Sequence, residues 1–203
     1  MDRKAALGAL VSVPFLALVC WYLTTQFTPI WGYLGTLTVY WTCVLIPILI
    51  WRGTRADQLA LGKVTKRLFG LALLPVVMVG CVATYTLWQA PIPIWAALIV
   101  IGIAVCNGTL EELFWRGTVQ TDSATVVQMG LGVALFTGCH VALLAAQGVT
   151  LTGGPLALLA GAMGGGVLWT YLRSRTGTVG LAALSHIGMN IAAFLELTSH
   201  NLT

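Results

Sequence analysis

Seven apolar segments follow one another along the chain, each near the length of about 20 residues that crosses a bilayer as a helix. Polar or turn-forming stretches such as QAPIP and RSRTG separate them. Because hydrocarbon offers no water to backbone groups, a spanning segment must pair them internally, which an α-helix does. We therefore predict an all-α, polytopic membrane helix bundle of about seven transmembrane helices. The predicted bounds are 5–24, 30–51, 68–89, 94–115, 125–147, 154–172 and 178–198.

The composition argues against a soluble fold. Of the 203 residues, 58% are hydrophobic and only 8% are charged, and the mean hydropathy is +0.92. A soluble domain needs a charged surface, whereas a surface that faces lipid can be apolar on all sides. The chain has no basic run interleaved with aromatic residues, which argues against nucleic acid as a partner. We expect a single integral-membrane domain over residues 1–203, embedded in the lipid bilayer, with a motif-bearing core at approximately 94–198.

The positive charges predict the orientation of the bundle. If the N-terminus is cytosolic, all ten Lys and Arg residues fall at cytosolic segment ends and none falls at the opposite ends. Such a one-sided distribution is what the positive-inside rule describes. We therefore predict an integral membrane protein of the plasma (inner) membrane, with its N-terminus in the cytosol and its C-terminus on the opposite side.

Residues near the segment ends carry three further expectations. Gly161 and Gly165 form a GxxxG pair, which predicts close packing against another helix. Glu196 and His200 are expected to be solvated or interfacial at the non-cytosolic end. Tryptophans near segment ends are expected to form an aromatic belt at the membrane interfaces. These tryptophans are Trp31, Trp51, Trp88, Trp95 and Trp169.

Three charged residues lie within the stretch LEELFWRGTV, residues 110–119, just after an apolar run. Charge at membrane depth is costly, and an ionisable residue there is by default a functional hypothesis with a partner to be named. Glu112 and Arg116 are four residues apart and share a helical face, so they can neutralise each other. The Glu111 side chain points about 100° away from that of Glu112 around the helix, so it is free for a role other than this ion pair.

Two further pairs of polar or aromatic residues show the same spacing of four: Phe136 with His140, and His186 with Asn190. The helical rise places Glu111 and His186 roughly 12–15 Å from the cytosolic turns. His140 reaches a similar depth if its helix enters the membrane near Gly130. We predict that the three helices bring these groups to one buried site that opens towards the cytosolic half.

Such a cluster is suited to hydrolysis. A carboxylate in a low-dielectric site can act as a general base on water, and a neutral imidazole can hold that water. A second imidazole and an amide can donate hydrogen bonds to a developing oxyanion. Three alternatives remain open: a buried ion-pair network that only fixes helix packing, a proton relay in a transporter, and Cys139 as a nucleophile. The first would make the chain a non-enzymatic membrane protein, acting in bacteriocin immunity or in regulating a partner.

The motifs EELFWR, FTGCH and HIGMN, in this order, resemble those of the CPBP intramembrane proteases, the family of CAAX prenyl endopeptidases and bacteriocin-immunity (Abi) proteins. The resemblance implies an intramembrane endopeptidase that cleaves a membrane-anchored protein or peptide. It implies that Glu111 and His140 activate water and that His186 and Asn190 form the oxyanion pocket. Supporting roles would fall to Glu112, Arg116 and Phe136.

The resemblance leaves the cofactor open, because the family has been described both as metal-dependent and as a glutamate-type protease. Glu111, His140 and His186 could form a three-ligand zinc site. However, no HExxH places two imidazoles on one helical face. We expect no catalytic metal, with Zn²⁺ as the alternative.

Overall fold

The computed structural model describes residues 1–202, and these residues form helices joined by short connections. Seven of the helices are long and apolar enough to cross a membrane, which confirms the predicted all-α bundle. The chain is an integral membrane protein. The seven spans are α1 (Arg3–Gln26), α2 (Pro29–Trp51), α3 (Lys66–Gln89), α4 (Ile94–Val119), α5 (Val126–Ala145), α6 (Gly154–Thr176) and α7 (Gly180–Asn201).

Local sequence signals set the ends of several helices. Asp2 caps α1 by accepting from the backbone N–H groups of Lys4 and Ala5. Thr125 and Gln128 form a capping box at the start of α5, so this helix begins well before Gly130. Gly177, with a φ of 77°, ends α6 in the left-handed conformation that glycine adopts without strain. These signals fix where the helices begin and end, and thereby where the connections between spans lie.

The last span, α7, lies at the centre of the bundle. In its most apolar window 56% of the residues are buried, against 17% for α3. It packs against α3, α4 and α6, and α1 packs against α2 and α5. Residues on α7 can therefore meet side chains from several other spans, which is where a shared site must be built.

Three spans change their helical form where polar side chains are needed. The end of α4, Leu113–Val119, is a π-helix that begins directly after Glu112. The middle of α2, Trp41–Leu45, is also a π-helix. The end of α5, His140–Ala145, is a 3₁₀-helix. Such irregular turns rotate the side chains that follow them and are frequent at functional sites.

The connections at one end of the bundle carry the charged residues. The amino group of Met1 donates to Thr121 Oγ1 over 2.9 Å, and Asp2 forms an ion pair with Arg52. Arg173 forms an ion pair with Asp122 over 2.6 Å at the same end. The N-terminus therefore lies beside the α2–α3, α4–α5 and α6–α7 connections.

Hydrogen bonds between neutral groups join several connections at the opposite end. Asn201 Oδ1 accepts from the backbone N–H of Thr150 over 2.6 Å, and Ser199 donates to the backbone oxygen of Ala90. The end of α7 thus lies beside the α3–α4 and α5–α6 connections. The N-terminus and the end of α7 lie at opposite ends of the bundle.

Two expectations about residues near the span ends are wrong. Trp169 is fully buried and does not belong to an interfacial belt, unlike the exposed Trp51, Trp88 and Trp95. The GxxxG pair does not serve helix packing either. A Cβ at Gly165 would lie 2.6 Å from the ring of Trp169, so this glycine makes room for that ring. Gly161 has no neighbour within 4 Å of the Cβ position.

Gly108 sets the approach of α4 to α7 and generates a test of the packing. A Cβ there would lie 2.8 Å from the backbone nitrogen of Ile187. We expect Gly108→Val to lower the free energy of unfolding by about 1–3 kcal/mol, because the two helices must separate. Thermal unfolding in detergent measures this. Gly102→Ala on the same helix, where the Cβ has open space, is the matched control and should be neutral or stabilising.

Candidate active site

A buried carboxylate, Glu112, anchors the site. Arg116 Nη1 donates to Glu112 Oε1 over 3.0 Å, so the predicted four-residue pair is present. The guanidinium also donates from Nη2 to the backbone oxygen of Gly166 over 3.1 Å and lies 4.4 Å from the ring centroid of Phe136. His186 Nδ1 lies 3.0 Å from the same Glu112 oxygen. The pair therefore ties α4 to α5, α6 and α7.

His186 is held on three sides. Its Nδ1 contacts Glu112, and its Nε2 lies 3.5 Å from Glu111 Oε2. The indole of Trp169 stacks on its face, with ring centroids 3.7 Å apart and an interplanar angle of 15°. Trp169 Nε1 donates to Ser185 Oγ over 3.1 Å, which fixes the indole in turn. The imidazole thus has a fixed orientation between two glutamates.

Glu111 is oriented by an amide that the motif analysis overlooked. Asn107 Nδ2 donates to Glu111 Oε2 over 3.0 Å, and Trp41 Nε1 donates to Asn107 Oδ1 over 2.9 Å. An indole N–H can only donate, so the amide oxygen must face Trp41 and the amide NH₂ must face the carboxylate. Asn107 precedes Glu111 by four residues, and the same spacing rule that found the other pairs could have found it.

His140 lies at the junction where α5 becomes a 3₁₀-helix. Its Nδ1 lies 2.9 Å from the backbone oxygen of Phe136. Because a carbonyl only accepts, Nδ1 carries the proton, and Nε2 of the neutral ring is an acceptor. Within residues 1–202, His140 has no direct hydrogen bond to Glu111 or His186. A small molecule such as water is needed to connect them.

Asn190 has a spare hydrogen-bond donor. Its side chain is buried, and Nδ2 has no hydrogen-bond partner in the described part of the chain. A buried amide N–H without an acceptor costs about 1–3 kcal/mol. The amide lines the cavity described next, so a ligand oxygen that enters the cavity can accept from it.

A cavity of about 450 Å³ brings the predicted residues together. Glu111, His140, His186 and Asn190, from three different spans, all line it, and most of the remaining lining is apolar. The lining continues to Thr152, which lies in the α5–α6 connection at the end of the bundle opposite the N-terminus. None of residues 1–4, 52–67 or 173–179 lines the cavity, so the lining does not extend to the positively charged end, towards which the site was predicted to open.

Glu196 also lines the cavity and is buried, so of its two predicted positions, solvated or interfacial, the solvated one is wrong. Its residue exposure is 8%, and it accepts a hydrogen bond from Thr152 Oγ1. His200 Nε2 lies 3.1 Å from Glu196 Oε1, and the side chain of His200 is 39% exposed. The loop before α6 covers this carboxylate, which the local sequence around it does not indicate.

The alternative zinc ligands are Glu111, His140 and His186. Among residues 1–202, no group of three or more His, Cys, Asp or Glu side chains is arranged to hold a metal ion. His186 directs one ring nitrogen at each of two glutamates. A carboxylate at the second ring nitrogen is also common around metal-bound imidazoles, so zinc stays the alternative prediction.

The fold and the site together define a class: a polytopic membrane protein with acid, imidazole and amide groups at one buried cavity. Residues 93–192 match the family model described as Type II CAAX prenyl endopeptidase, Rce1-like. This region spans all three motifs, from Glu111 to Asn190, and amounts to 100 of the 203 residues, so almost half of the chain is similar to that family. A comparison with curated proteins found no match. A comparison with solved structures found none either.

The buried ion pair generates a test of the site's architecture. Arg116→Met should lower the free energy of unfolding by about 3–5 kcal/mol, because it leaves the Glu112 charge buried without its partner. Replacing both partners, Glu112→Gln with Arg116→Met, should recover much of that loss. Thermal unfolding of the purified protein measures both changes. Arg175→Met, at an exposed position on α6, is the control and should have little effect.

Proposed function

We propose that this protein is an intramembrane endopeptidase that hydrolyses a peptide bond in a membrane-anchored protein or peptide. The observation that carries the proposal is the convergence of Glu111, His140, His186 and Asn190 on one cavity, where Asn190 has an unused donor. The similarity of residues 93–192 to a prenyl endopeptidase family supports the reaction class. The hydrophobic lining supports a substrate that arrives from the lipid bilayer.

The attacking water is held between Glu111 and His140. His140 Nε2 accepts a hydrogen bond from the water, because Nδ1 is committed to the backbone of Phe136. Glu111 takes the proton as the water oxygen bonds to the scissile carbonyl carbon. Asn107 donates a hydrogen bond to Glu111 Oε2, so the other carboxylate oxygen is the one that takes the proton. Glu111 later delivers the proton to the leaving amine nitrogen as the C–N bond breaks.

The oxyanion is stabilised by Asn190 and His186. The buried cluster contains two carboxylates, Glu111 and Glu112, and one guanidinium, Arg116, so it is neutral when His186 carries both ring protons. Once Glu111 is neutralised by the water proton, His186 Nε2–H is released from its contact with that carboxylate. It can then donate to the developing oxyanion beside Asn190 Nδ2. Donors aimed at developing charge in a water-poor site are worth most.

The orientation follows from the charges. We propose that the N-terminus and the charged connections face the cytosol of the plasma (inner) membrane and that the end of α7 faces the opposite side. The gathering of Met1, Arg52 and Arg173 at one end of the bundle supports this orientation, because cytosolic connections carry the excess of positive charge.

Replacement of the proposed base tests the reaction. Glu111→Gln should lower the cleavage rate by about 100-fold or more, because the amide cannot take a proton from water. Folding and insertion should be unchanged. The measurement uses proteoliposomes and a fluorogenic peptide ending in CAAX, offered with and without a prenyl group. Asp57→Asn, which alters an exposed acid, is the control and should retain full activity.

Two results of that assay would contradict the proposal. Retained cleavage by Glu111→Gln would show that Glu111 is not the general base. The absence of cleavage of either peptide by the unaltered protein would contradict the endopeptidase proposal. A chelator should leave the rate unchanged. If a chelator abolished cleavage and Zn²⁺ restored it, the metal-free water activation would be wrong. A non-enzymatic scaffold instead predicts that Glu111→Gln leaves the cellular phenotype intact.

The Trp41–Asn107 pair should matter for the rate rather than for substrate binding. Asn107→Leu should lower kcat by about tenfold or more with little change in KM, because Glu111 loses the donor that fixes it. Trp41→Phe should give a smaller loss of kcat, since the amide can then flip. Steady-state kinetics measure both. An effect on KM alone would assign Asn107 to substrate binding instead.

A further inference from the structure

The cavity has a second polar end that the proposed reaction does not use. Glu196 lies six residues after Asn190 on α7, which is about 9 Å along the helix axis. It lines the same cavity and is buried. Its Oε1 accepts a hydrogen bond from the Thr152 hydroxyl and forms an ion pair with His200 Nε2. In the part of the chain that the structure describes, no hydrogen bond is made to Oε2.

The charges that line the cavity are unequal at its two ends. Glu111 belongs to a cluster in which Arg116 and His186 offset the acidic groups. At the other end, the ion-pair partner of Glu196 among residues 1–202 is His200, whose ring is charged only when protonated. None of the described lining residues is Lys or Arg. An apolar cavity whose far end presents a carboxylate paired only with a histidine, with no Lys or Arg among the described lining residues, is complementary to an apolar ligand that carries a cation.

We propose that Glu196 binds a cationic group, the side chain of Lys or Arg or a free amine, on the apolar segment that occupies the cavity. The assignment of that segment as a peptide substrate rests on the proposed function. An extended peptide advances about 3.3 Å per residue. The distance between Asn190 and Glu196 therefore places the basic residue about three residues from the bond that is hydrolysed. This carboxylate would then determine which apolar sequences are accepted.

Binding to a protein that cannot cleave tests the proposal. The full chain with Glu111→Gln is reconstituted in nanodiscs and titrated with fluorescein-labelled, ten-residue Leu/Ala peptides. The peptides carry Lys, norleucine or Glu, moved in turn through each position. We expect the best Lys peptide to bind about tenfold or more tighter than its norleucine counterpart, because the ion pair forms away from water. The Glu peptide should bind most weakly.

Two further variants assign the preference to the carboxylate. Adding Glu196→Gln should abolish the difference between the Lys and norleucine peptides. Adding Thr152→Val instead removes the hydroxyl donor but keeps the charge, so most of the preference should remain. Thermal unfolding of each variant checks that the bundle is intact.

The outcomes separate this proposal from the proposed function. Equal affinity of Lys and norleucine peptides for the cleavage-incompetent protein would overturn it, whether or not Glu196→Gln folds. A Lys preference that survives Glu196→Gln would also overturn it, because another group would then bind the cation. Either result would leave the endopeptidase proposal standing, since cleavage is not measured. Conversely, a failed cleavage assay would leave a measured cation preference valid.

Discussion

One carboxylate oxygen, Glu112 Oε1, holds together the part of the bundle on which the site depends. It accepts a hydrogen bond from the guanidinium of Arg116 on the same helix and lies 3.0 Å from His186 Nδ1 on α7. Leaving this charge unpaired away from water would cost several kcal/mol, so the two partners must stay in place for the bundle to fold. Arg116 then reaches α6 through a backbone oxygen, and His186 is pressed against Trp169. Because the buried charge needs both partners, the three helices that carry these contacts keep a fixed arrangement.

That arrangement separates two roles that adjacent residues could not share if both faced the same way. Glu112 is committed to structure, whereas Glu111 faces the cavity and is held by a neutral amide. The neutral amide of Asn107 and the imidazole of His186 both contact this carboxylate. The π-helix that starts after Glu112 includes Arg116, whose buried side chain pairs with Glu112. The two neighbouring carboxylates thus have different surroundings.

The sequence was sufficient for features with a local cause. Segment length and hydropathy predicted the seven spans, and the spacing of four residues predicted the Glu112–Arg116 pair, because both follow from the geometry of a single helix. Features that depend on how helices rotate against each other could not be found this way. The stacking of Trp169 on His186 and the burial of Glu196 under the loop before α6 belong to this second kind. Asn107 lies four residues before Glu111 and fits the same rule, but it lies outside the three motifs.

The packing of helices against each other also explains why the cavity extends away from the charged end. Phe114, Trp115 and Arg116 are all buried and fill the bundle beneath the charged connections. Glycines such as Gly161, and the loop before α6, leave space on the other side of Glu111 and His186. From Asn190 the lining continues along α7 to Glu196, so a ligand that fills the cavity along this helix would meet that acidic side chain. The position of the cavity and the acidic group that it presents therefore have the same structural origin.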